Sequence, residues 1–178
     1  MNKNLLIFGA GGHGLAVKET AETLGSYDKI NFLDDNSPLA IGKLKDYPGF
    51  VKDYKYAFVA LGHNELRMNW YRILKEAGFE IPVLIHPRAV VSKSAKIENG
   101  SFIGANSVVN SNAVIEKGCI LSIGSLVDHD AVINEFSHID TGAIVKSCAR
   151  IAKYKKINAG TTSTEKDATE DYNFETGV

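Results

Sequence analysis

Every sixth residue from Ile85 to Ile157 is aliphatic. The series runs Ile85, Val91, Ile97, Ile103, Val109, Ile115, Leu121, Val127, Ile133, Ile139, Val145, Ile151 and Ile157, thirteen positions without a miss. Four residues after each stands a small side chain: Ala89, Ala95, Ser101, Ser107, Ala113, Cys119, Ser125, Ala131, Ser137, Ala143, Ala149 and Thr161, with Lys155 the one exception. A helix repeats its apolar face every 3.6 residues and a half-buried strand every two, so a period of six fits neither. It fits a parallel β-helix whose triangular coils take three hexapeptides each. The aliphatic residue points inward and stacks on its equivalents above and below. The small residue also faces inward, where a corner leaves little room. Residues 85–162 are therefore expected to form a left-handed parallel β-helix of a little over four coils.

Residues 1–84 follow another pattern. The apolar run 4–8 reads as a buried strand, and Gly9-x-Gly11-x-x-Gly14 after it opens a helical stretch. That helix shows Val17, Ala21 and Leu24 on one face and Gly25 as its stop. Residues 29–33 make a second strand ending at Asp34 and Asp35, and residues 56–61 a third ending at Gly62, His63 and Asn64. A second helix follows, with Leu66, Trp70, Ile73 and Ala77 expected inward and Gly78 behind it. Residues 81–85 lead as a last strand into the repeats. Strands alternating with helices predict a small parallel α/β sheet of Rossmann-like type. The expected organisation is a Rossmann-like domain over 1–84, the β-helix over 85–162 and a polar tail over 163–178. The tail carries Glu165, Asp167, Glu170, Asp171 and Glu175, and reads as a disordered end or a short capping segment.

Charge narrows the function classes. Lys and Arg number 20 against 21 Asp and Glu, so no broad basic surface points to nucleic acid or an anionic membrane. The apolar opening Leu5–Ala10 is too short for a signal peptide or a membrane span, so a cytoplasmic location is expected. Cys119 falls on the inward track and Cys148 on an outward one, which argues against a disulfide.

Two groups of residues carry chemistry. Gly9-x-Gly11-x-x-Gly14 lies between a strand and a helix, where backbone N–H groups bind a phosphate oxygen. Asp34 and Asp35 follow about twenty residues on, where an acid accepts from ribose hydroxyls. Gly11, Gly12, Gly14, Asp34 and Asp35 are therefore candidate phosphate and nucleotide contacts, and the side chain of His13 in the loop could reach a sugar beyond the phosphates. Gly62 and Asn64 stand at the neighbouring strand end and could complete the site, with Arg67 lending charge; Asn64 reads equally well as a helix cap. The second group is Asp128, His129 and Asp130, placed outward after the inward Val127. An imidazole with one nitrogen held by a carboxylate presents the other as a base. His138 follows nine residues later, also outward. Two histidines without a third do not complete a zinc set, so no metal is expected.

These motifs occur in one order: the Gly-Ala-Gly-Gly-His-Gly loop of residues 9–14, Phe32 to Asn36, Leu61 to Arg67, Ile85-His-Pro87, Asp128-His-Asp130 and Glu135 to His138. The set resembles the bacterial sugar O/N-acyltransferases of the sialic acid O-acetyltransferase (NeuD) and UDP-4-amino-sugar N-acetyltransferase (PglD) family, over residues 1–162. The resemblance implies a homotrimer with sites between neighbouring solenoids, and acetyl transfer from acetyl-CoA, as co-substrate, to an amino group on a nucleotide-linked sugar. It implies His129 as catalytic base, Asp130 as the acid orienting it and His138 as a second catalytic histidine. It also implies acetyl-CoA contacts at Gly142 and at Ser147, where the family carries a glycine whose N–H faces the oxyanion. The chain departs from the family after Thr162, where the family's chains usually carry further coils. Lys153, Lys155 and Lys156 stand there, either as an attraction for CoA phosphates or as a solvated patch. Two other readings stay open: a sialic-acid-type O-acetyltransferase, and a non-catalytic nucleotide-sugar-binding trimer.

Overall fold

The computed structural model describes residues 3–164 together with Asp167 and Ala168. The chain divides into two compact units, Met1–Leu84 and Ile85–Val178.

The first unit is built on a parallel sheet. Its elements are β1 (Leu5–Phe8), α1 (Gly12–Leu24), β2 (Ile30–Leu33), a 3₁₀ helix (Leu44–Phe50), β3 (Tyr56–Val59) and α2 (Asn64–Glu76). The strand order is β2-β1-β3. Strand β1 lies in the middle, and all four of its apolar side chains are buried, as a parallel strand covered on both faces requires. Helix α1 ends at Gly25, which takes the left-handed conformation at φ 62°. Its buried face is Gly14, Val17, Thr20 and Ala21, while Leu24 at the last turn is exposed.

Helix α2 corrects the sequence reading. Its buried residues are Arg67, Tyr71 and Leu74, whereas Leu66 and Ile73 are exposed. The reason is Arg67, which hydropathy places outside. Its guanidinium turns inward and donates to Leu61 O at 2.8 Å and to Asn64 Oδ1 at 2.8 Å. Burying a cation is tolerable only with such partners. The 3₁₀ helix was not anticipated either. Its Tyr47 packs edge-on against Trp70 with centroids 6.0 Å apart, and Trp70 in turn lies 5.4 Å from Phe8. The expected strand over 81–85 is not a member of this sheet. Glu80 makes an isolated bridge to Tyr56, and Leu84–Ile85 pairs elsewhere.

The second unit is the solenoid. Its two-residue strands are β4 (Leu84–Ile85), β5 (Val90–Val91), β6 (Lys96–Ile97), β7 (Phe102–Ile103), β8 (Val108–Val109), β9 (Val114–Ile115), β10 (Ile120–Leu121), β11 (Leu126–Val127), β12 (Val132–Ile133), β13 (His138–Ile139), β14 (Ile144–Val145), β15 (Arg150–Ile151) and β16 (Lys156–Ile157). They form three parallel faces, ordered β16-β13-β10-β7-β4, β14-β11-β8-β5 and β15-β12-β9-β6. Ile103, Leu121, Ile139 and Ile157 stand in register, one coil apart. The second residue of each strand is the inward one, and from Ile103 to Ile157 none is more than 2 % exposed. The small track is buried from Ser101 to Ala149. Its serines are satisfied: Ser101 Oγ donates to Glu116 O at 2.9 Å, and Ser107 Oγ to Ser122 O at 2.7 Å.

Three corners stack along the coils, each marked by left-handed residues. One carries Asn106, Gly124, Gly142 and Gly160, the next Asn112, Asp130 and Cys148, the third Gly100, Gly118, Phe136 and Tyr154. Lys155 breaks the small track where the repeat ends, and its ammonium pairs with Asp167 at 3.2 Å. Beyond it Thr162 bridges to Ile144, and Ser163 fills the next inward position, fully buried. The described part of the tail caps the last coil: Ala152 N–H donates to Asp167 O at 2.9 Å, and Ala168 pairs antiparallel with Ile151. The rest of the 163–178 segment lies outside the described residues. Among the described residues no helix is long and apolar enough to cross a membrane.

Candidate active site

In the first unit the order β2-β1-β3 places a topological switch between β1 and β3. Ligands of open α/β sheets gather at the carboxyl ends beside such a point. The two loops there are Gly9–Gly12 and Ala60–Asn64. They touch, because a Cβ added to Gly9 would lie 2.9 Å from Ala60 O, and Gly9 itself has φ 104°. Gly14 packs α1 onto β1 so closely that a Cβ would meet Gly9 O at 2.1 Å. Gly11, Gly12 and Gly62 differ: their missing side chains open onto clear space. Gly11 is the N-cap of α1, so the N–H groups of the first turn face outward beside it. His13 sits half-buried in that first turn.

Asp34 has work inside the protein. One carboxylate oxygen accepts from Ala10 N–H at 2.8 Å, and the other from Asn36 and Ser37 N–H at 2.8 and 2.9 Å. These bonds hold its pKa below the ordinary carboxylate value. Asp34 thus ties β2 to the glycine loop, and a ribose contact falls more readily to exposed Asp35, one of whose oxygens accepts from Leu44 N–H at 3.1 Å. The cap of α2 is His63, whose Nδ1 accepts from Leu66 N–H at 3.3 Å; Asn64 does not cap but accepts from Arg67. Arg67 is 1 % exposed and lends no surface charge to a ligand.

In the second unit Asp128, His129 and Asp130 form the corner between β11 and β12. His129 Nδ1 lies 2.8 Å from Asp130 Oδ2. The Asp128 carboxylate accepts from His129 N–H at 2.7 Å. One coil below, two asparagines brace both acids: Asn110 donates to Asp128 at 2.9 Å and Asn112 to Asp130 at 3.0 Å. The hydrogen bond to Asp130 raises the pKa of His129, with Asp128 adding charge. The His129 and Asn112 bonds lower that of Asp130. Sequence reasoning did not find the asparagines. The eighteen-residue coil was the available signal, since Asn110 and Asn112 stand one coil before Asp128 and Asp130.

His138 is placed apart from this corner, on β13; the β12 face and a second corner intervene. Its Nε2 lies 2.9 Å from Ser122 Oγ and 3.7 Å from Asp140 Oδ1. Burial pushes the Asp140 pKa up, but Lys156 at 2.9 Å, Thr141 N–H and His138 together bring it below the ordinary value. Of the three lysines near the end, Lys155 and Lys156 are therefore ion-paired, and Lys153 lies 5.9 Å over the Tyr154 ring. Gly142 is a corner glycine at φ 64°, with open space where a side chain would stand. Its N–H donates to Ile123 O at 3.0 Å. Ser147 is exposed on the corner one coil above His129.

Comparisons with known proteins agree with this architecture. The PglD N-terminal domain model matches residues 4–74. The UDP-N-acetylbacillosamine N-acetyltransferase of Bacillus subtilis (strain 168) is 31% identical over 113 residues, 58% of this chain and 52% of its own length. The chain thus matches about half the length of that curated relative. The acetyltransferase domain of PglB from Neisseria gonorrhoeae FA1090, solved with acetyl coenzyme A, superposes with TM-score 0.86 and 37% identity, covering 92% of this chain and 83% of that one. A mutant of GDP-perosamine N-acetyl transferase from Caulobacter crescentus, solved with CoA and GDP-perosamine, shares the fold with TM-score 0.79 at 24% identity, over 90% of this chain and 88% of that one.

An α/β unit of this topology followed by a hexapeptide-repeat solenoid defines a class of two-domain acyltransferase-type proteins. Within that class, this chain belongs to the PglD/NeuD-type family.

Proposed function

We propose that this protein transfers the acetyl group of acetyl-CoA to the amino group of a nucleotide-linked amino sugar, with a UDP-sugar of bacterial surface-glycan biosynthesis as the expected acceptor. The observation that carries this reading is the His129–Asp130 pair at 2.8 Å on an exposed corner. Its support is the likeness to a PglB domain that binds acetyl coenzyme A.

The acceptor amine attacks the thioester carbonyl. As the C–N bond forms, Nε2 of His129 takes the amine proton. Asp130 holds Nδ1–H and stabilises the imidazolium. The C–S bond then breaks, and the departing thiolate takes a proton back from His129. Such general-base help is worth about 10²–10⁴ in rate, and positioning supplies much of the rest. Ser147 supplies the N–H for the oxyanion. Its counterparts one and two coils below, His129 and Ser111, have their N–H groups taken by Asp128 and Asn110 side chains. Lys146 precedes Ser147 and offers no acceptor, which leaves that N–H for the substrate. Gly142, lacking a side chain, admits acetyl-CoA close to the corner. Gly11, Gly12, Gly14, Gly62 and Asn64 form the nucleotide end, with Asp35 on the ribose and His13 towards the sugar.

The working form is a homotrimer, since His138 and His129 stand on different sides of one coil and a neighbouring copy can bring them together. The test is thiol release and sugar acetylation with purified protein, acetyl-CoA and a UDP-4-amino sugar. His129→Ala should lower transfer by at least about 100-fold while nucleotide-sugar binding persists. Transfer surviving within about tenfold removes His129 as base. If wild type neither transfers nor binds acetyl-CoA by calorimetry, the protein is a nucleotide-sugar-binding scaffold instead.

A further inference from the structure

The left-handed corner that carries His129 recurs in three successive coils. Asn112, Asp130 and Cys148 occupy one place in three successive coils, with φ of 59°, 58° and 60°. Asparagine and aspartate adopt this left-handed conformation readily; cysteine does so rarely. Cys148 is bound to the coil below, its N–H donating to His129 O at 2.9 Å. The imidazole of His129, the carboxylate of Asp130 and the thiol of Cys148 thereby offer N, O and S atoms all within 4.8 Å of one another. His129 and Asp130 are exposed and Cys148 is half-buried, so the cluster opens to solvent on one side. The acetyl transfer described above makes no use of the thiol.

This donor set is selective. Thiolate and imidazole together disfavour Ca²⁺ and Mg²⁺, which take oxygen ligands, and suit a borderline metal such as Zn²⁺. Zinc takes three protein ligands with a water in the fourth place at about 2.0–2.3 Å from each donor. The ladder fixes the backbone of both coils, so closing onto a metal falls to side-chain rotation. We propose that His129, Asp130 and Cys148 form a binding site for a zinc-type divalent cation that shuts off the protein's own catalytic corner. The cation takes the place of the proton between His129 Nδ1 and Asp130, and the Cys148 thiol loses its proton to solvent. A metal on Nδ1 leaves the remaining imidazole proton on Nε2, and that nitrogen then has no lone pair for the amine. Binding is independent of the reaction proposed above; only the inhibition rests on it.

The intact protein is titrated with Co²⁺ as a spectroscopic stand-in, then with Zn²⁺ in competition. One equivalent per chain should produce a thiolate-to-metal charge-transfer band and the visible bands of four-coordinate Co²⁺. Cys148→Ser should abolish the charge-transfer band and weaken metal binding at least about tenfold. Cys148→Asn, which tolerates the left-handed corner as Asn112 does, gives the same readout if serine destabilises the coil. No charge-transfer band in wild type overturns the site. So does a band that survives both variants, which would then come from buried Cys119. Zn²⁺ should stop acetyl transfer in wild type and spare Cys148→Ser, whose metal-free rate is unchanged. A normal thiolate band with transfer unaffected keeps the metal site and rejects His129 as the base.

Discussion

In the proposed mechanism, Asp130 sets what His129 does near neutral pH. Its hydrogen bond raises the histidine pKa, so the neutral, proton-accepting form prevails only above that raised value. The acid limb of kcat/KM should therefore lie above the ordinary histidine value of about 6.5. Asp130→Asn removes the charge; the limb should move to lower pH and the plateau should fall. A limb that stays in place would show that Asp130 does not govern this base. At the same scale, Asp34 and Arg67 show the limit of reading single residues. Both read as ligand contacts, and in the structure Asp34 binds the N–H groups of Ala10, Asn36 and Ser37 while Arg67 is buried on Leu61 O and Asn64 Oδ1. Their chemistry was legible, but their partners are backbone groups of other segments, which no local pattern announces.

At the level of elements, the hexapeptide identified every inward strand residue, because an inward position tolerates only a side chain that stacks on its neighbours. It was silent on the corners. Gly118 shows why they matter: at φ 69° it lies under the Phe136 ring, and an added Cβ would stand 2.2 Å from it. Gly124, at φ 67°, has no atom within 4 Å of an added Cβ. Gly124→Ala should cost only the left-handed conformation, about 1–2 kcal/mol. Gly118→Ala should cost a further ~1–3 kcal/mol from the clash. Thermal melts of the two variants side by side measure the difference, and equal losses would mean that Phe136 moves aside freely. Helix α2 makes the complementary point. Its periodicity was visible, but the buried face was set by an arginine satisfying loop carbonyls.

At the scale of the whole molecule, the β14-β11-β8-β5 face leaves an apolar row exposed: Val90 at 63 %, Leu126 at 39 % and Ile144 at 39 %. Leu126 in this row stands two residues before Asp128, so a copy packed on it would stand beside the corner proposed as catalytic. Leu126→Asp should convert the expected trimer to monomers in sedimentation and abolish transfer while circular dichroism stays unchanged. A trimer that persists would put the interface on another face. The sequence by itself determined the architecture of both units, because periods, glycine spacing and strand–helix alternation are local consequences of backbone geometry. It also singled out Asp128, His129, Asp130 and His138 as the candidate catalytic side chains. Only the tertiary structure decided that Asn112 braces Asp130, that Cys148 stands above it, that Asp34 serves the glycine loop and that Asp167 and Ala168 fold back on the last coil. These relations join residues a coil or an element apart, and their distances arise only once the chain has closed on itself.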